Sequence, residues 1–155
     1  MSAPQDISQN KALLWFMAAA CGLCAGANYY SQPLIHSIQQ YFAVTESQAA
    51  LTVTFAQVSY ALGLLFIVPI GDVANKTKFI PLLMTLCAMG LFLSAFSVNL
   101  PMLWVGTVLV GLFSVAAQVL IPLATMTVQP EKTGEVVGFL MSGLLVGILL
   151  STSLA

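Results

Sequence analysis

The chain has 155 residues, of which 59% are hydrophobic and 6% charged, and its net charge is −1. A soluble domain carries about 25% charged residues, so this chain lacks the polar side chains to cover a water-facing globule and must be integral to a membrane. Its near-neutral balance gives a nucleic acid nothing to bind.

Backbone polar groups in hydrocarbon must be satisfied internally, which leaves helices or closed barrels. The apolar runs here last about twenty residues without the alternation of barrel strands, so the fold class is all-α, with membrane-spanning helices. In chain order, residues 1–11 form a polar tail and the transmembrane domain fills 12–155. The tail is too long, and the run behind it too complete, for a cleavable signal. The first span covers 12–31, and Pro33 then breaks or kinks the helix. A loop over 32–47 leads to the second span, 49–70. A polar loop over 71–78 follows, holding Asp72, Lys76 and Lys78 with Asn75 as its turn residue. The third span, 79–98, keeps Pro81 in its first turn, where proline is tolerated. The fourth span is 102–125, and the fifth runs from 136 to 155.

The chain has no arginine, and its basic residues are Lys11, Lys76, Lys78 and Lys132. Five alternating spans put all of them on one side. By the positive-inside rule the N-terminus and the 71–78 loop are cytoplasmic, while residues 32–47 and Ala155 face outward. An internal repeat accompanies this topology. A shift of 89 residues lays Leu14-Trp15, Gly22-Leu23 and Pro33-Leu34 on Leu103-Trp104, Gly111-Leu112 and Pro122-Leu123. A three-helix unit has an odd number of crossings, so its second copy is inverted in the membrane, the arrangement of secondary transporters. By this register the sequence stops one helix short of a complete second unit.

The central loop carries a resemblance. Gly71-Asp72 followed by Lys76 and Lys78 is similar to the signature between the second and third helices of the major facilitator superfamily. Asp72 takes the acidic position and the two lysines the basic tail. Val73 stands where arginine is usual, and Asn75 where a second glycine is usual. Asparagine is second only to glycine in tolerating the left-handed conformation, so the turn is expected to survive. Asn28-Tyr29-Tyr30-Ser31-Gln32-Pro33-Leu34 and the stretch from Gly138 to Gly147 resemble helices one and five of a bacterial efflux-permease subgroup. The resemblance implies the first five of twelve helices, with substrate bound between two six-helix halves. It also implies that Asp72 contacts the start of a helix in the second half, and that span five faces that half.

Polar residues within spans are the candidates for the substrate cavity, because polar groups facing lipid are costly. These are Asn28, Tyr29 and Gln32 in span one, Gln57 and Tyr60 in span two, and Gln118 in span four. Asn28 and Gln32 lie four apart on one helix face, and Gln57 and Tyr60 three apart. Gln57 and Gln118 read first as hydrogen-bonding a neighbouring helix, whereas Asn28, Tyr29 and Gln32, clustered before a proline, read first as cavity lining. Ala18, Gly22 and Gly26, and Gly143, Gly147 and Ser151, form small-residue seams. If span five faces the second half, its seam has no partner in this chain. Cys21 and Cys24 match a CxxC spacing, but within an apolar helix they read as packing residues. His36 is the single histidine and reads as an interfacial residue.

The expected function is a truncated N-terminal portion of a small-molecule efflux or uptake permease in a bacterial inner membrane. It needs the bilayer, a substrate, and a C-terminal half or second chain. The alternative is a non-transporting remnant or a structural membrane subunit. No phosphate loop, metal cluster or catalytic constellation is visible, so neither a cofactor nor an enzyme is expected.

Overall fold

The computed structural model describes residues 9–153, so most of the polar tail and the outward placement of Ala155 lie outside the described residues. Among the described residues, five helices are long and apolar enough to cross a membrane. The first four start at side-chain caps, which satisfy orphan amides of the first turn. Asn10 Oδ1 accepts from the Leu13 amide at 3.2 Å and opens α1 (Lys11–Tyr29). A capping box between Thr45 and Gln48 opens α3 (Glu46–Leu62), which continues through a π-helical turn, Gly63–Ile67, into α4 (Val68–Val73). Asn75 caps α5 (Lys76–Ala95), and Asn99 caps α6 (Leu100–Phe113) with Pro101 in its first turn. After a break at Ser114 and Val115, α7 (Ala116–Met126) completes the fourth crossing. A 3-10 turn, Pro130–Lys132, leads into α8 (Thr133–Ser153).

Span boundaries shift by a few residues, and the loops at 71–78 and 32–47 differ in kind from the sequence reading. The 71–78 loop shrinks to Ala74 and Asn75, because the helix runs through Gly71 and Asp72, and Lys76 already belongs to α5. Asn75 is extended (φ −68°, ψ 100°), not left-handed, since its side chain turns forward to accept from the Thr77 amide at 3.2 Å. The early start of α5 also moves Pro81 out of the first turn. The 32–47 loop holds a further helix, α2 (Ile35–Phe42). Its residues Ile35, Ile38 and Phe42 share one face and pack with Ala49, Leu100 and Leu103. Ala43, at φ 52°, ends it in the left-handed region.

Small residues decide how the helices meet. Gly22 and Gly26 lie against Gly143, Gly147 and Ser151, in ascending order on both helices, so α1 and α8 run parallel. A Cβ on Gly22 would come within 2.6 Å of the Gly143 carbonyl oxygen. The seam of span five therefore has its partner inside this chain: the two seams pack on each other, and the expectation of an unpartnered seam is corrected. Gly90 meets Gly106 between the antiparallel α5 and α6. Gly111 presses on Ala56 and Ser59 of α3, and Trp104 Nε1 donates to Thr52 Oγ1 at 3.2 Å in the same interface. The repeat thus has a structural counterpart, because Gly22 and Gly111 superpose in sequence and each sits where its helix crosses a helix of the other unit. The core lies among α1, α5, α7 and α8, around Cys21, Ala116, Ala124 and Leu140. Cys21, Cys24 and Cys87 are unpaired and buried.

Candidate functional site

The second and fourth crossings are both irregular at the same place. Pro69 has no amide to donate to the Leu65 carbonyl, and the π-helical turn Gly63–Ile67 sits around that gap. Gly63 packs on the break in the fourth crossing; a Cβ there would come within 2.6 Å of the Leu112 carbonyl oxygen and 2.9 Å of Val115 Cγ1. Pro122 likewise leaves the Gln118 carbonyl without its helical donor.

Beside these irregular turns lies a cavity of about 110 Å³. Asn28 and Tyr29 of α1, Tyr60 of α3, and Ser114 and Gln118 of the fourth crossing line it, and Leu144 and Ile148 of α8 close it. Gln118 Nε2 donates to Tyr60 Oη at 3.1 Å, joining two crossings. Asn28 is only 2% exposed, and neither its Nδ2 nor its Oδ1 has a hydrogen-bond partner among the described residues. An unpaired buried polar group costs about 1–3 kcal/mol. Two on one side chain demand a reason beyond packing. No charged side chain lines this cavity, so its chemistry is hydrogen bonding among amides and phenols.

The structure brings together Asn28, Tyr29, Tyr60 and Gln118 but leaves out two other candidates. Gln32 does not share a face with Asn28, because α1 ends at Tyr29 and Gln32 is exposed in the turn that follows, its amide bonded to the Tyr29 carbonyl at 3.3 Å. Gln57 is half-buried on α3 and does not line the cavity. Ser114, four residues before Gln118, was missed; the i, i+4 spacing was the signal that could have found it. Leu144 and Ile148 carried no signal in so apolar a helix.

The polar turn between the second and third crossings is arranged differently from a loop. Gly71 is buried, and a Cβ there would meet Phe79 and Val119 at 3.1 Å. Asp72 and Lys78 are exposed, and Lys76 Nζ donates to the Asp72 main-chain carbonyl at 3.4 Å, capping α4. At the other end, His36 is exposed on α2 and bonded to Gln40 at 2.9 Å.

Comparison with known proteins bears on this arrangement. The family model described as Major Facilitator Superfamily matches residues 14–155. The uncharacterized transporter YgaY of Escherichia coli K12 is 47% identical over 144 residues, and so is its counterpart in Escherichia coli O157:H7. The match covers 93% of this chain and 36% of each relative. No solved structure matches.

Proposed function

Because the chain belongs to the Major Facilitator Superfamily, we propose that it supplies the first five helices of a small-molecule secondary transporter in a bacterial inner membrane. In this reading the cavity of Asn28, Tyr29, Tyr60 and Gln118 is its share of the substrate site. The observation that carries the assignment is Asn28, buried with an unpartnered amide at the meeting of four crossings. Broken helices around a polar pocket are where alternating-access transporters hold their cargo. Gly71, Asp72, Lys76 and Lys78 would form the conformational turn, with exposed Asp72 placed to meet a helix start in a second half.

The test is a chimera of residues 1–155 with the remainder of the Escherichia coli relative, reconstituted in vesicles under a proton gradient and screened for uptake. Gradient-dependent flux lost with Asn28→Ala and with Gln118→Ala is the expected result. Flux that survives both substitutions at normal protein levels would remove the cavity from the substrate path.

The same reading orients the chain with its lysines inside. Ser47 and Thr77 are both exposed and flank opposite ends of the second crossing. Single cysteines at these positions, in a background with the native cysteines replaced, are expected to react with an impermeant thiol reagent in intact cells at Ser47 only. Labelling at Thr77 alone would invert the topology.

A further inference from the structure

Away from the cavity, α1 and α8 leave a long groove on the face opposite Asn28. Its polar end, about 510 Å³, is lined by Lys11, Lys132 and Glu135. It runs on into an apolar trough of about 320 Å³, lined by Ala19 and Val146 among others. Trp15 and Phe139 wall both parts, with ring centroids 5.0 Å apart in an edge-to-face contact. Trp15 is 67% exposed.

We propose that this groove binds one anionic phospholipid of the phosphatidylglycerol class, with its phosphodiester between Lys11 and Lys132 and an acyl chain in the trough below Trp15. Charge selects the occupant. Two lysines and one carboxylate leave a net positive charge, which a single phosphodiester neutralises. The order along the groove is that of a lipid: cations first, then an amphipathic tryptophan at the depth of the glycerol backbone, then alanine and valine. Tryptophan favours that interfacial depth, and basic pockets between membrane helices hold anionic head groups. The parallel course of α1 and α8 matters here, because it brings the two lysines, 121 positions apart in sequence, to the same end of one groove.

Trp15 is also the reporter. The chain has two tryptophans, so Trp104→Phe leaves Trp15 alone. This variant is reconstituted in phosphatidylcholine vesicles containing a minority of brominated phosphatidylglycerol, brominated phosphatidylethanolamine or brominated phosphatidylcholine. Quenching of Trp15 is expected to show a preference of about five-fold or more for phosphatidylglycerol, in line with the attraction of each lysine for an anionic surface. The preference should vanish in Lys11→Gln/Lys132→Gln and rise in Glu135→Gln. It should also fade in the unsubstituted groove as salt shortens the screening length from about 10 Å at 0.1 M to about 3 Å at 1 M. Quenching that follows mole fraction whatever the head group, or a preference that persists in high salt, would overturn the proposal.

Discussion

Gly147→Leu is expected to separate α8 from α1 and to cost more stability than any other single change in the fifth crossing. A Cβ at Gly147 would overlap the Gly22 carbonyl, and the atoms it meets are backbone, which cannot rotate aside as a side chain could. Overpacking of this kind typically costs about 1–3 kcal/mol, occasionally more. Helix association in a bilayer has little hydrophobic drive and relies on close van der Waals fit, so a lost seam is not offset elsewhere. Gly138→Ala in the same helix is the control, because no atom lies within 4 Å of its built Cβ. Unfolding by sodium dodecyl sulfate from dodecyl maltoside micelles measures both, with Trp15 emission reporting the interface through its contact with Phe139. Equal midpoints for the two variants would mean that α8 is not held by this seam.

That seam also shows what the sequence could and could not reveal. The spacing of Ala18, Gly22 and Gly26 and of Gly143, Gly147 and Ser151 was visible, as were the five crossings, because an uninterrupted apolar run of about twenty residues has few other uses. Which surface each seam met was not visible: periodicity marks a face but not its partner, and family resemblance pointed span five away from α1. The turn at Ala74 and Asn75 was overestimated for a related reason. Gly71 and Asp72 are turn-forming residues in isolation, yet a helix emerging from the membrane continues until its backbone is diverted; here it ends where Ala74 turns extended, just before Asn75 caps the start of α5. In α2, the pattern of Ile35, Ile38 and Phe42 was present but occupies only two turns, too short to stand out after Pro33.

The cavity was legible in part. Asn28, Tyr29, Tyr60 and Gln118 stand out because any polar group inside a span needs a reason to be there. Gln32 and Gln57 gave the same signal, and only three-dimensional phase separates them. The end of α1 at Tyr29 takes Gln32 off the helix face, and Gln57 lies on α3 away from the cavity lining that Tyr60 joins.

The contrast between Asn28 and Gln118 gives a prediction in which a buried amide and a half-buried one change stability in opposite directions. Leucine has nearly the shape of asparagine, so Asn28→Leu removes two unpartnered buried groups without opening a hole. Each such group costs about 1–3 kcal/mol; a gain of about 1 kcal/mol or more is therefore expected for the 155-residue chain in micelles. Gln118→Leu breaks the 3.1 Å bond to Tyr60 and leaves the Tyr60 hydroxyl alone. Interhelical hydrogen bonds in membranes average about 0.6 kcal/mol, so a loss of that order is expected. In the chimera, both substitutions should abolish flux. A side chain whose removal strengthens the fold while ending transport is kept for what it binds, because packing alone would have favoured leucine. Detergent unfolding midpoints settle the sign. An Asn28→Leu chain that unfolds more readily than the parent would show that the amide is holding helices together, and it would return Asn28 to a structural role.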